Sequence, residues 1–339
     1  MIRVFLSHEP EALKNFYGER ALGDLTAFAE VTFNDTGRVL TSAALATAVQ
    51  GCDLVILDRN TPADTAFFAA CGEIVSVHRC AVDIRSIDVA AASAAGVLIT
   101  NASPGFVDAV VELSLGLMID LARSVSAYVA DYHRATPPPA RMGRQLSGST
   151  IGIIGYGSIG KALARATQAL GMTVMVHDPY QDIVDGHVTQ TDLTTLLGQA
   201  DFVHCLAVAT PETENLMNAE AFAAMKAGAY FINVSRGNLV DEAALEAALS
   251  SGHLAGAALD VGRAEDQKPT PSLARLANVI ATPHIGGQTP AAVEAQALET
   301  VEQARAAAQG RWPHNAINPD QASRFQAFIK TARPEPTSS

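Results

Sequence analysis

A chain of 339 residues, 48% of them hydrophobic, has the length of about two domains and enough apolar side chains to build a core in each; a peptide hormone, a disulfide miniprotein and a disordered tail are excluded. Asp and Glu outnumber Lys and Arg by 35 to 23, a formal charge of −12, so neither nucleic acid nor an anionic membrane is expected as a partner. Cys52, Cys71, Cys80 and Cys205 stand in separate apolar stretches with no CxxC pair, which points to buried thiols in a reducing compartment and to no metal site.

The opening run Met1 to Ser7 meets His8 and Glu9, too early for a secretory leader. Short β-branched runs then alternate with Ala/Leu-rich stretches: Ile2 to Ser7, Val31 to Asn34, Asp53 to Asp58, Ile74 to His78 and Val97 to Asn101. That alternation is the βαβ pattern. A long helix is predicted over Val107 to His133, ending at Thr136-Pro137-Pro138-Pro139, which cannot continue it. Its most apolar part, Val110 to Ala122, contains Glu112 and Asp120, so it is no membrane span and the chain reads as cytoplasmic. After a Pro/Gly/Arg-rich loop, Thr136 to Ser149, a second alternating series runs from Thr150 to His284. Ile151-Gly152-Ile153-Ile154 and Phe202 to Leu206 are apolar throughout, as strands covered by helices on both faces must be. A last helix over about Pro290 to Gly310 precedes a Pro/Ser-rich end, Pro334 to Ser339, expected to fray. The fold class is α/β, with two doubly wound parallel-sheet domains.

The strand Thr150 to Ile154 runs into Gly155-Tyr156-Gly157-Ser158-Ile159-Gly160, which opens a helix over Ser158 to Leu170. In that setting the first glycine permits a tight turn, the second lets the backbone approach a pyrophosphate, and the third lets helix and strand touch. A second strand, Thr173 to His177, ends at Asp178, 18 residues beyond Gly160, where a carboxylate would bond the adenosine ribose hydroxyls. It would repel a 2′-phosphate, and no Arg or Lys occurs from Pro179 to Gly186; NAD is favoured over NADP.

Three polar residues stand at strand ends of the second series. Arg236 follows Tyr230 to Ser235 and could fork a carboxylate. His284 follows Val279 to Pro283 and precedes Ile285-Gly286-Gly287, and its imidazole suits proton exchange near neutrality. Glu265 lies in the loop after Gly256 to Val261, where a carboxylate beside that imidazole would orient it.

With these residues in place the chain resembles the D-isomer-specific 2-hydroxyacid dehydrogenases. The resemblance rests on Gly155 to Gly160, Thr210-Pro211-Glu212-Thr213, Asn233-Val234-Ser235-Arg236-Gly237, Leu239-Val240-Asp241-Glu242, Leu259-Asp260-Val261 and Thr282-Pro283-His284-Ile285-Gly286-Gly287. It implies a flavodoxin-like substrate domain of residues 1–103 plus 290–339 and a Rossmann NAD-binding domain of residues 104–289, in a homodimer joined through the coenzyme domain and the long helix. The catalytic arginine, glutamate and histidine fall on Arg236, Glu265 and His284. Thr213, Ser235, Arg236, Asp260, His284, Gly286 and Gly287 join Gly155, Tyr156, Gly157, Ser158, Ile159, Gly160 and Asp178 at the coenzyme, and Arg79, Ala81 and Val82 join Arg236 and His284 at the substrate.

The implied activity is interconversion of a small 2-oxoacid, glyoxylate or hydroxypyruvate by default, and its D-2-hydroxy acid. The alternatives are an NAD sensor or corepressor, and a paralogue that binds NAD without turnover. Three departures from the family pattern bear on this. Ala81 to Ser86 lacks the two usual glycines and adds Asp83, whose charge is expected to oppose an acid substrate. Leu206-Ala207-Val208 replaces a His-x-Pro stretch. Gly262 and Asp266 replace a usual Phe and Pro, which makes Asp266 a second candidate partner for His284.

Overall fold

The computed structural model describes residues 1–331, apart from the side chain of Asp266; the end from Pro334 to Ser339 and the alternative pairing through Asp266 lie outside the described residues. The chain divides into two compact units, Met1–Gly105 with Thr289–Ser339, and Phe106–Gln288.

The first unit runs β1 (Ile2–Leu6), α1 (Pro10–Phe16), α2 (Glu19–Thr26), β2 (Ala29–Phe33), α3 (Ser42–Ala48), β3 (Leu54–Leu57), α4 (Thr65–Ala70), β4 (Ser76–Arg79), α5 (Val89–Ala94) and β5 (Leu98–Asn101). Its sheet has the order β2-β1-β3-β4-β5, with every pair parallel. Successive side chains on a strand point to opposite faces, so the strands feed two cores: Val4, Leu6, Leu54 and Ile56 on one face, Phe5, Val55, Leu57 and Val77 on the other. Helix starts follow their caps, with Thr41 accepting from Ala44 N–H, Asp64 from Ala66 and Phe67, and Asp88 from Ala91.

The second unit runs α6 (Val107–Arg123), α7 (Val125–His133), β6 (Thr150–Ile154), α8 (Ser158–Ala169), β7 (Thr173–His177), β8 (Thr189–Gln190), α9 (Leu193–Gln199), β9 (Phe202–Cys205), α10 (Ala219–Ala224), β10 (Tyr230–Asn233), α11 (Glu242–Ser250), β11 (Gly256–Leu259), α12 (Pro271–Ala274) and β12 (Val279–Ala281). Its seven strands are ordered β12-β11-β10-β9-β6-β7-β8, again all parallel. The chain then re-enters the first unit as α13 (Pro290–Ala308) and α14 (Ser323–Thr331). There Ile317 N–H bonds Ile99 O, and the Asn318 side chain holds Ile99 N–H and Val97 O, which covers the β5 edge.

The elements differ from the sequence reading in three places. The second strand starts at Ala29, because pairing with β1 selects Ala29 to Phe33 against Ile2 to Leu6. The fourth strand is Ser76–Arg79, so Arg79 is a strand residue. The long helix is two helices: Ser124 takes a left-handed conformation (φ 54°, ψ 38°), its N–H bonds Asp120 O, and the Asp120 carboxylate takes the N–H of Ser126 to start α7. No helix among the described residues is long and apolar enough to cross a membrane. The four cysteines are free and buried.

Three histidines are sealed in these interiors. Burial lowers His8 and His78 to about 4 and His204 to about 3 from the ordinary 6.5. Such a group stays neutral when folded and takes a proton when unfolded, so its stabilising share is complete above pH 6.5 and is lost as the pH falls from 6.5 toward 4. The free energy of urea unfolding is expected to drop in that window, by about 1.4 kcal/mol per pH unit for each histidine. Replacing His204 with Phe should cut proton uptake on unfolding at pH 5 by about one; an unchanged uptake would contradict this assignment.

Candidate active site

In the second unit the chain moves outward from β6 to β8 and then returns to β9 on the other side of β6, and open α/β sheets hold ligands at such a reversal. Two loops meet there, Gly155 to Gly160 after β6 and Leu206 to Thr213 after β9. Gly155 has φ +97°, and a Cβ on it would lie 2.7 Å from Leu206 O; a Cβ on Gly160 would lie 2.3 Å from Gly155 O. These two glycines are demanded by the protein's own packing. A Cβ on Gly157 would meet nothing within 4 Å. The space beside it faces the first turn of α8, whose N–H groups have no intrahelical acceptor.

Asp178, at the end of β7, turns one carboxylate oxygen to the N–H of Tyr156 (2.9 Å) and the Gln181 side chain (3.0 Å), and the other to Tyr180 N–H (3.0 Å). It therefore shapes the fingerprint loop. Tyr156 is buried and its hydroxyl donates to Asp185. Ser158 is exposed and Ile159 half-buried at the start of α8.

Arg236, Glu265 and His284 follow β10, β11 and β12, three consecutive strands, whose spacing is about 4.8 Å. Buried Asn233 ends β10; its amide donates to Arg236 O and its carbonyl accepts from Ser235 N–H, bending the chain so that half-buried Arg236 leaves the strand extended. The Arg236 guanidinium bonds Ser235 O at 2.7 Å. A Cβ on Gly237 would lie 2.1 Å from the Gly262 carbonyl, so the loops after β10 and β11 touch backbone to backbone. Glu265 is exposed at the tip of the second loop. His284 is half-buried with φ +60°, a conformation that costs a residue other than glycine about 1–3 kcal/mol and persists only where its surroundings impose it.

Asp260 imposes it. Its carboxylate is buried, and one oxygen accepts from the Thr282 hydroxyl (2.6 Å) and Ile285 N–H (2.8 Å), the other from Gly286 N–H (2.8 Å). Asp260 thus grips the turn on both sides of His284. Among the other residues expected at the coenzyme, the Ser235 hydroxyl donates to Ala207 O, and the Thr213 hydroxyl accepts from Thr210 N–H and donates to Val208 O. Both side chains shape the Leu206-Ala207-Val208 loop. Gly286 is buried against Asp260, and Gly287 lies against Phe106. The sequence reading missed the bracing roles of Asn233 and Asp260; an Asn or Asp at the end of an apolar strand is the one available signal for them.

In the first unit, Arg79 is the last residue of β4. It is completely buried, its guanidinium bonding Asp58 O, Thr61 O and the Ser86 hydroxyl, because its strand position turns it into the unit's interior. Ala81 and Val82 are half-buried; their carbonyls accept from Ala102 N–H and the Asn101 amide, while among the described residues no acceptor takes their own N–H groups. The Asp83 charge is met by Arg85, whose Nε and Nη2 bind its two oxygens at 2.6–3.0 Å. The expected repulsion of an acid is thereby offset within the loop.

The model of the D-isomer specific 2-hydroxyacid dehydrogenase NAD-binding domain matches residues 115–286. The (S)-sulfolactate dehydrogenase of Chromohalobacter salexigens is 34% identical over 307 residues, which cover 87% of this chain and 97% of that one. The chain belongs to the D-isomer-specific 2-hydroxyacid dehydrogenases. The D-3-phosphoglycerate dehydrogenase of Mycobacterium tuberculosis is 33% identical over 302 residues, 88% of this chain and 56% of that protein, so the chain spans about half the length of such relatives. The D-lactate dehydrogenase of Lactobacillus jensenii, solved with NAD+, superposes with a TM-score of 0.80 at 25% identity, over 93% of this chain and 99% of that one. NAD is the coenzyme of the matched domain, and the open space at Gly157 fits its pyrophosphate.

The fingerprint glycines are expected to separate by experiment. Gly157→Ala should leave the melting temperature unchanged and weaken NADH binding at least tenfold, read by NADH fluorescence, whereas Gly160→Ala should destabilise the fold; equal NADH affinity in Gly157→Ala would show that nothing lies against that glycine. In Asp260→Asn the side-chain amide must set its NH2 against one of the backbone donors. A loss of about 1–3 kcal/mol in urea unfolding is expected, and an unchanged midpoint would mean that the grip on the His284 turn does not exist.

Proposed function

We propose that this chain is an NAD-dependent oxidoreductase interconverting a small 2-oxoacid, of the glyoxylate or hydroxypyruvate kind, and the D-2-hydroxy acid. The observation that carries the reading is the departure of an arginine, a glutamate and a histidine from three consecutive strand ends in the unit whose β6 loop fits NAD. Arg236 forks the substrate carboxylate and sets its orientation. In the reductive direction His284 gives a proton to the carbonyl oxygen as negative charge gathers there, and in the oxidative direction it accepts the hydroxyl proton. Glu265 favours the protonated imidazole and holds its orientation. NAD, when bound, supplies the hydride-transfer chemistry.

A small acid with one carboxylate is favoured because the cations at the end of β4 and just after it are engaged: Arg79, the last residue of the strand, in the interior and Arg85 on Asp83. The relatives named for phosphoglycerate and sulfolactate act, by those names, on acids with a second anionic group, and the substrate panel below separates the two cases. The reading includes a homodimer. Helix α7 buries none of its own residues and leaves Val125 and Val129 each 48% and Tyr132 64% exposed, an apolar face suited to a second copy. The four buried free thiols suit the cytoplasm.

The test is oxidation of NADH, and separately NADPH, across 2-oxoacids of graded size that include a phosphorylated and a sulfonated member, with the protein's mass measured by light scattering. Turnover of the smallest acids with NADH by a species of two chains is expected, reduced about 10²- to 10⁴-fold in His284→Ala. Tight NADH binding without turnover of any acid would overturn the enzyme reading in favour of a sensor or a paralogue without turnover. A best substrate with a second anion would overturn the size assignment alone.

A further inference from the structure

We propose that Arg263 is a positioning residue, the clamp that fixes where Glu265 stands relative to Arg236; this rests on the reaction proposed above. The Glu265 side chain makes no hydrogen bond to another described residue, and Glu265 stands at the tip of an exposed loop, so its place is set by how that loop is attached. Internally the loop is tied into one piece: Gly262 N–H bonds Gln267 O, Ala264 N–H bonds Lys268 O, Gln267 N–H bonds Ala264 O and Lys268 N–H bonds Glu265 O. A loop so tied moves as one body and needs external fixings.

Arg263 supplies them from two residues before Glu265. Its own N–H bonds the Glu242 carboxylate at 3.0 Å, at the start of α11. Its Nε donates to Val240 O (3.0 Å), and its Nη2 donates to Asn238 O (3.0 Å), Glu214 (2.8 Å) and Asn215 (2.6 Å). Asn238 and Val240 belong to the segment that continues from Arg236 and Gly237, and Glu214 and Asn215 to the segment after β9. One side chain therefore joins the loops of three adjacent strands. The partners are themselves linked, since Asn215 N–H bonds Asn238 O and the Asn238 amide donates to Glu214. The Glu214 carboxyl is held below its ordinary range by Arg263 and Asn238 together.

The geometry needs an arginine. A planar guanidinium reaches Val240 O through Nε while the two N–H groups of Nη2 are shared among Glu214, Asn215 and Asn238 O, whereas an ammonium is one nitrogen and cannot serve both the Val240 direction and the Nη2 cluster. The backbone contact of Gly237 with Gly262 holds the same two loops together at their base, and Arg263 holds them farther out, so the pair of fixings sets an angle that either alone would leave free.

The test uses Arg263→Met, Arg263→Lys, Glu265→Gln and the Arg263→Met/Glu265→Gln double variant, each with its melting temperature recorded. Arg263→Met is expected to lower kcat at least tenfold while NADH affinity stays within twofold, Arg263→Lys to recover part of the loss, and the double variant to be no slower than Glu265→Gln alone, because both changes act through the same carboxylate. Hydrogen exchange of the apo protein gives a readout independent of turnover: amides 262–268 should exchange at least tenfold faster in Arg263→Met, with β10 and β11 unchanged. Losses that multiply in the double variant, or unchanged exchange at 262–268, would overturn the proposal. If the wild-type protein turns over no acid, the reaction fails as a reading, and the exchange result decides the clamp by itself.

Discussion

The inner strands of both sheets exchange backbone hydrogen bonds with parallel neighbours and are covered by helices on both faces, and this requirement governs where polar chemistry can stand. Within such strands a polar side chain is either satisfied by close neighbours, as His78 is by Ser76 and Thr100, or kept neutral by burial, as His204 is. Groups that must meet a ligand are left the strand ends. In the second unit those ends deliver the fingerprint loop, Arg236, Glu265 and His284 in sheet order, although their positions in the chain span more than a hundred residues.

A strand end alone does not aim a side chain. His284 sits in a left-handed conformation that a histidine enters only under constraint, and the constraint is electrostatic: a buried carboxylate with three donors from the same turn. Breaking that contact would strand a charge away from water, so the turn and Asp260 hold each other. Arg236 is aimed by a neutral version of the same device, the Asn233 amide bonded to the N–H of Ser235 and to the carbonyl of Arg236 itself. In each case the residue that aims lies on the strand or just past its end, and the residue that acts lies in the loop.

Much of this was legible before the structure. Apolar runs without alternation mark covered parallel strands, and a Gly-rich turn between strand and helix marks the coenzyme loop, because both are local consequences of backbone geometry. What could not be read depends on how the chain turns and on which partner each polar side chain then meets. Ser124 breaks the long helix because the Asp120 carboxylate is drawn to Ser126, a competition that apolar periodicity does not register. Arg79 was expected at the substrate from its place near the loop, yet its being the last residue of a strand turns it inward to carbonyls of residues 58 and 61. Asp83 was expected to oppose an acid substrate, and two residues later Arg85 pairs with it; spacing alone gives no sign that the chain turns sharply enough for the two to meet.

The departure at Gly262 and the bonds of Arg263 belong together. A large apolar residue at 262 would hold the loop by burial, a force that is strong but indifferent to direction. Glycine there leaves no such anchor and brings the backbones of the loops after β10 and β11 into contact, which places them close without fixing their angle. The arginine that follows restores the fixing through hydrogen bonds, which weaken steeply when misaligned and so define orientation as well as distance. The exchange trades packing for directed bonds beside the residue whose orientation matters, and it leaves Glu265 outside the core, at the end of a short rigid arm.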